Sequence, residues 1–224
     1  RRFAVGAISC IVVLGLSVTG FSVADTLAEL GASVLVVSER ADEEYARLLP
    51  LIGVSLWTGP LGDADAGTPA AVIAHEPDVV IASPGFAPGH PLIEWVQAQG
   101  IALWGDVELA WRVRDKIVDA AGHPAKWVLI TGTNGKTTTT QLTSHLLRAG
   151  GLRAAPCGNI GVPVLDAVRD PAGFDALVVE RGPERPRTVQ GLREGEEGQR
   201  IAAGGQRDGV RVQGGNEHAP MVRA

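Results

Sequence analysis

Short apolar runs recur along this chain at intervals that leave room for a helix between them. Ile11-Val12-Val13-Leu14, Val34-Leu35-Val36-Val37, Val79-Val80-Ile81-Ala82 and Ile101-Ala102-Leu103 are rich in β-branched residues and too short for helices. Such continuous runs suit strands buried on both faces of a parallel sheet. Residues 21–30, 91–99 and 106–114 read as helices, the first closed by Gly31. The alternation predicts an α/β fold with a Rossmann-like, doubly wound parallel sheet over residues 1–122. Ala121-Gly122-His123-Pro124 reads as a linker, after which the alternation resumes. Trp127-Val128-Leu129-Ile130 is a strand, and residues 137–149 carry Leu142, Leu146 and Leu147 at helical spacing before Gly150-Gly151 ends the helix. Ala176-Leu177-Val178-Val179 is a further strand, ending in Glu180. Residues 123–180 are therefore expected to form a second, truncated α/β domain of the phosphate-loop ATPase type.

The pattern stops at Arg181. Residues 181–224 hold nine glycines and eight arginines, no lysine and no aromatic residue. Their large aliphatics are Val189, Leu192, Ile201, Val210, Val212 and Val222. So little apolar surface does not offset chain entropy, and a disordered tail is expected. Arginine and glycine without lysine is also the composition of GC-rich DNA translated out of frame, which is the origin expected for this segment. At the other end, Arg1-Arg2 and the uncharged residues 3–24 resemble a basic leader with an apolar span. Gly6, Gly15, Ser17, Thr19 and Gly20 interrupt that run and suit a strand, turn and helix instead, so no stable membrane insertion is expected.

Charge and composition narrow the function. A net charge of −5 with scattered basic residues gives no footprint for nucleic acid. With 45% hydrophobic residues the chain has ample material for a packed core. Cys10 and Cys157 lie far apart without metal-ligand spacing. They read as buried small hydrophobes in a reducing, cytoplasmic setting.

The chemistry concentrates after the strand at 127–130. Gly132-Thr133-Asn134-Gly135-Lys136-Thr137-Thr138 joins that strand to a helix. Gly132 and Gly135 let the backbone curl so that N–H groups converge on phosphates, and the helix N-terminus adds positive dipole. Lys136 supplies a point charge for the outer phosphates of ATP, and the Thr137 hydroxyl is placed to ligate Mg²⁺. The stretch from Gly132 to Thr137 departs from the general Gly-x-x-x-x-Gly-Lys-Ser/Thr pattern, with two residues between its glycines instead of four. A glycine-rich turn with an incidental lysine is the simpler alternative; the strand before it and the helix after it favour phosphate. Glu180 ends an apolar strand downstream of the loop, where a second Mg²⁺ ligand belongs. Alone it would read as a solvated carboxylate, and Lys136 and Thr137 shift the reading to metal. In the first domain, the turn from Gly15 to Gly20 and Ser83-Pro84-Gly85 both fall at carboxyl ends of strands, where such sheets bind ligands. The turn carries Ser17 in place of the middle glycine of the dinucleotide fingerprint, and Ser38 precedes Glu39 where an acid would end the second strand. A pyrophosphate suits it better than a nicotinamide cofactor.

In order along the chain, the Gly15 to Gly20 turn, Ser83-Pro84-Gly85, Gly105-Asp106-Val107-Glu108-Leu109, the loop at 132–138 and Gly158-Asn159-Ile160-Gly161-x-Pro163 resemble the Mur ligases over residues 10–180. Their order and spacing are most like those of the family's D-glutamate-adding members. The resemblance implies a cytoplasmic, ATP-dependent ligase of peptidoglycan synthesis, monomeric, acting on UDP-N-acetylmuramoyl-L-alanine and D-glutamate. ATP would phosphorylate the substrate carboxylate and D-glutamate would attack the acyl phosphate. By resemblance, Leu16, Ser17, Val18, Thr19, Ser83, Pro84 and Gly85 meet the uridine diphosphate, and Asn159 meets the muramoyl substrate. Gly132, Thr133, Asn134, Gly135, Lys136, Thr137 and Thr138 take the ATP phosphates. Lys136 is the catalytic cation, and Thr137 and Glu180 hold Mg²⁺. The chain departs from the family after Glu180, where Arg181-Gly182-Pro183-Glu184 replaces a Leu-Ser-Ser-Phe-Gln-like segment, and no lysine follows Lys136 to match the family's carbamylated one. These 224 residues are therefore expected not to turn over. A nucleotide- or UDP-sugar-binding fragment without catalysis and a Rossmann-type oxidoreductase remain as other readings.

Overall fold

The computed structural model describes residues 10–61, 67–83, 85–87 and 89–182, together with the backbone of residues 199–202 and 209–213. The chain divides into two compact units between Leu109 and Ala110.

The first unit runs β1 (Cys10–Leu14), α1 (Val18–Glu29), β2 (Ser33–Ser38), α2 (Glu43–Leu48), β3 (Ser55–Thr58), α3 (Ala70–His75), β4 (Val79–Ala82), α4 (Pro91–Ala98) and β5 (Ala102–Gly105), with the division falling inside α5 (Asp106–Arg112). All five strands are parallel, in the order β3-β2-β1-β4-β5. Val12, Val13, Leu14, Val36, Val37 and Val80 are wholly buried, which is why their runs show no polar alternation. Local signals set the helix starts: Asp42 accepts the N–H groups of Glu44 and Tyr45, and His90 accepts that of Leu92 ahead of Pro91 at the first turn. Helix α1 begins at Val18 rather than at residue 21, because Ser17 caps it and accepts from the Gly20 N–H. The chain winds outward from β1 to β3 and then crosses back to β4. The order thus reverses between β1 and β4, at the crevice where open α/β sheets bind ligands.

The second unit contains β6 (Lys126–Ile130), α6 (Lys136–Ala149), β7 (Ala154–Gly158), α7 (Val164–Arg169) and β8 (Ala176–Glu180). Its sheet has the order β7-β8-β6-β10-β9, where β9 is Gln199–Ala202 and β10 is Gly209–Gln213. The first three strands are parallel, while β10 runs antiparallel to β6 and β9 antiparallel to β10. Over those two spans the chain differs from the structureless tail expected from composition. The free edge of β6 supplies unpaired N–H and C=O groups, and an extended segment of any composition can satisfy them. The rest of residues 183–224 lies outside the described residues, as do residues 1–9.

Helix α6 forms where the helical spacing places it, but Leu142 and Leu146 are not on its buried face. Leu142 and Leu146 are 55% and 60% exposed, whereas Thr140 and Ser144 are fully buried. The helix approaches β7 closely enough for the Ser144 hydroxyl to donate to the Ala154 carbonyl at 3.5 Å, and small side chains permit that approach where leucines would not. Ahead of β6, Asp119 Oδ1 accepts the N–H groups of Ala121 (2.9 Å) and His123 (2.8 Å) and closes the turn around Gly122. The His123 bond above all holds the Asp119 carboxyl below the usual carboxylate range. Cys157 is buried, and Cys10 is half-buried because it opens β1 at the end of the sheet. Among the described residues no helix is long and apolar enough to cross a membrane.

Candidate nucleotide sites

The loop after β6 has the geometry its glycines suggest. Gly132 and Gly135 take φ of 153° and 72°, and Gly135 is the left-handed residue that caps α6. Thr139 N–H donates to the Gly135 carbonyl and starts the helical ladder. Thr133, Asn134, Thr137 and Thr138 are exposed, with Lys136 half-buried beside them. The Lys136 ammonium lies across its own loop, donating to the carbonyls of Gly132 (2.7 Å) and Thr133 (3.4 Å). An ammonium held by two carbonyls and no carboxylate keeps its charge available for an anion.

Beside this loop stand the ends of two more strands. Glu180 pairs with Ile130 on one side and with Gly158 on the other, so the three strand ends lie in a row. The Arg181 N–H donates to the Ile130 carbonyl and the Asn159 N–H to the Glu180 carbonyl. Glu180 is only 2% exposed. Its Oε1 accepts from Asn159 Nδ2 at 3.1 Å, and its Oε2 has no partner among the described residues. A buried carboxylate oxygen left unpaired is costly, and this one lies next to a phosphate-type loop. Among the described residues no three His, Cys, Asp or Glu side chains cluster as a metal site. The available oxygens are the Glu180 carboxylate and the threonine hydroxyls of the loop, donors that suit a hard cation. A cavity of about 80 Å³ in this unit lies at the other end of the sheet, where Trp127 and Leu177 begin β6 and β8. The loop itself is open surface.

In the first unit the turn after β1 is built by close approach. Gly15, at φ 94°, donates its N–H to the Val37 carbonyl. A Cβ on Gly20 would sit 2.0 Å from the Gly15 carbonyl oxygen, so only glycine lets α1 start this close to the turn. Leu16 is buried and donates to Ser38 Oγ at 3.3 Å, and Ser38 in turn donates to the Arg40 carbonyl at 2.7 Å. Ser17 and Val18 are exposed at the start of α1 and Thr19 is half-buried. The Ser83 N–H donates to the Leu14 carbonyl. Leu16, Ser17, Val18, Thr19, Ser83 and exposed Gly85 thus gather at the switch point between β1 and β4, and Pro84 lies outside the described residues. Ser38, noted in the sequence only as standing where an acid would end the second strand, fixes the turn, a role the sequence reading did not assign.

Residues 9–105 match the family described as Mur ligase MurD-like, N-terminal domain, and residues 130–191 match the Mur ligase middle domain. A UDP-N-acetylmuramoylalanine--D-glutamate ligase of Leifsonia xyli is 60% identical over 173 residues, covering 76% of this chain and 33% of that protein. Proteins of the same name from Tropheryma whipplei (44% over 171 residues, covering 75% and 32%) and Streptomyces coelicolor (42% over 174 residues, covering 76% and 34%) are also similar. The chain spans about a third of the length of these curated relatives.

Proposed function

This chain belongs to the Mur ligase family, and on that premise we propose that it serves the ATP-dependent addition of D-glutamate to UDP-N-acetylmuramoyl-L-alanine in cytoplasmic peptidoglycan synthesis. The observation that carries the ATP half of this reading is the buried, unpaired Oε2 of Glu180 beside the loop of Lys136. In the proposed division of labour, residues 1–122 hold the UDP-substrate and residues 123–180 hold ATP, in a monomer.

The roles follow from charge and reach. The backbone N–H groups of the 132–138 loop and the N-terminus of α6 cradle the phosphates. Lys136 leaves its own loop carbonyls for the transferred phosphoryl group, whose charge it neutralises as the substrate carboxylate attacks. Glu180 Oε2 and the Thr137 hydroxyl would hold Mg²⁺, which when bound offsets the charge of the phosphate oxygens. The acyl phosphate formed from the L-alanyl carboxylate is then opened by the amine of D-glutamate, giving the amide, phosphate and ADP. At the other site, the N-terminus of α1 with Ser17, Val18 and Thr19 faces the UDP pyrophosphate, and Ser83 and Gly85 border it. Nothing in this arrangement asks the protein for a covalent intermediate.

Calorimetric titration tests both halves. The chain should bind UDP-N-acetylmuramoyl-L-alanine and Mg²⁺-ATP, and should not bind NADH. NADH binding, or no heat with ATP, would overturn the reading. The 224 residues, spanning about a third of the relatives, are proposed to bind both nucleotides without turnover. A version of the relatives' length should release ADP only when D-glutamate is present; release driven by another amino acid instead would refute the assignment of acceptor.

A further inference from the structure

We propose that Asn159 is a positioning residue for Glu180, holding one carboxylate oxygen so that the other is presented to the divalent ion. The inference rests on the Mg²⁺-ATP reading of the loop, and it gives Asn159 a role different from the contact with muramoyl substrate that resemblance implies.

Three observations support it. First, the Asn159 amide makes the one side-chain hydrogen bond to Glu180 among the described residues, Nδ2 to Oε1 at 3.1 Å, while Oε2 stays unpaired in a residue 2% exposed. Second, Asn159 is tied to the same strand end through its backbone, its N–H donating to the Glu180 carbonyl at 3.0 Å. The segment is shaped for that tie. Gly158, at φ 98°, would bring a Cβ within 2.6 Å of the Glu180 carbonyl oxygen, and Gly161, at φ 71°, would bring one within 2.5 Å of the Pro156 carbonyl oxygen. Larger residues at either position would push Asn159 off the end of β8. Third, the chemistry of an amide suits the task. An arginine or lysine here would neutralise the carboxylate, but asparagine donates a hydrogen bond and leaves the full negative charge for a cation. The other buried unpaired side-chain atoms, Trp127 Nε1 and Thr140 Oγ1, carry no charge and offer no comparable site.

The test measures ATP affinity of the chain with Mg²⁺ and with EDTA, and takes the ratio of the two dissociation constants. In the unaltered chain Mg²⁺ should tighten binding, and Glu180→Gln should abolish that gain. Asn159→Ala should lower the gain about 10-fold, the usual cost of losing a group that orients a metal ligand. Asn159→Gln, whose amide can still reach the carboxylate, should recover part of it. Asn159→Ser, small and suited to a tight turn, gives the same readout if the alanine variant fails to fold. A full Mg²⁺ gain in folded Asn159→Ala or Asn159→Ser would overturn the proposal while the ATP site stands. No Mg²⁺ gain in the unaltered chain would overturn the metal reading and this inference with it.

Discussion

Lys136 and Gly20 illustrate two ways in which a single residue matters here. Among the described residues the Lys136 ammonium bonds only to carbonyls of its own open loop, so its removal takes nothing from the core. Lys136→Ala should leave the melting temperature unchanged and weaken ATP binding by about 2 kcal/mol, roughly 30-fold, as read by calorimetry. Gly20 is the opposite case. Its missing Cβ would overlap the Gly15 carbonyl oxygen, and that atom is backbone, with no rotamer to swing away. Gly20→Ala should therefore destabilise the first unit by about 3 kcal/mol, seen as a lower denaturant midpoint, and should also disturb the UDP-side turn. A midpoint equal to that of the unaltered chain would mean α1 can move off the turn. Much at this scale was legible in the sequence, because phosphate loops use glycine and lysine for reasons that do not depend on context. The Asn159–Glu180 bond was not legible, since a pairing across 21 residues depends on which strands become neighbours.

Strands that enter both faces of a sheet announce themselves, and β1, β2, β4, β6 and β8 lie where their apolar runs place them. β3 and β7 did not announce themselves. Ser-Leu-Trp-Thr and Ala-Ala-Pro-Cys-Gly have no such run; they are edge strands of the parallel part of each sheet, recruited by the strands beside them. Helix α6 shows the limit of periodicity more sharply. Its leucines have helical spacing, yet Thr140 and Ser144 face the sheet while Leu142 and Leu146 face outward. Spacing identifies a helix, whereas the separation from the sheet decides which stripe is buried. Replacing both exposed leucines, Leu142→Gln with Leu146→Gln, should change unfolding free energy by less than about 0.5 kcal/mol and raise solubility. Ser144→Leu should cost about 2 kcal/mol by overpacking against β7. The reverse ranking in urea denaturation would show that the leucine stripe is a core face.

Across the whole molecule, burial and sheet position set a gradient of local stability that hydrogen exchange can read. β1 is flanked by β2 and β4 and is almost wholly buried, and every residue of β8 is buried between β7 and β6. Opening either strand means breaking two ladders and exposing a core. β10 is bonded to β6 and β9, but β9 has no outer neighbour, and residues 181–224, in which both lie, are rich in glycine and arginine and poor in large aliphatics. A two-stranded hairpin with little apolar surface is marginal in water, and β10 is tied to the rest of the sheet through its backbone ladder with β6. The amides of residues 209–213 should therefore exchange at least about 100-fold faster than those of β1 and β8, because low-stability segments open without global unfolding. Mg²⁺-ATP should slow exchange in the 132–138 loop and at residues 180–181, and it should leave residues 209–213 unchanged, since no nucleotide contact is proposed there. If residues 209–213 exchange as slowly as β8, the hairpin is an integral part of the second sheet, and the composition of the tail is a poor guide to its stability.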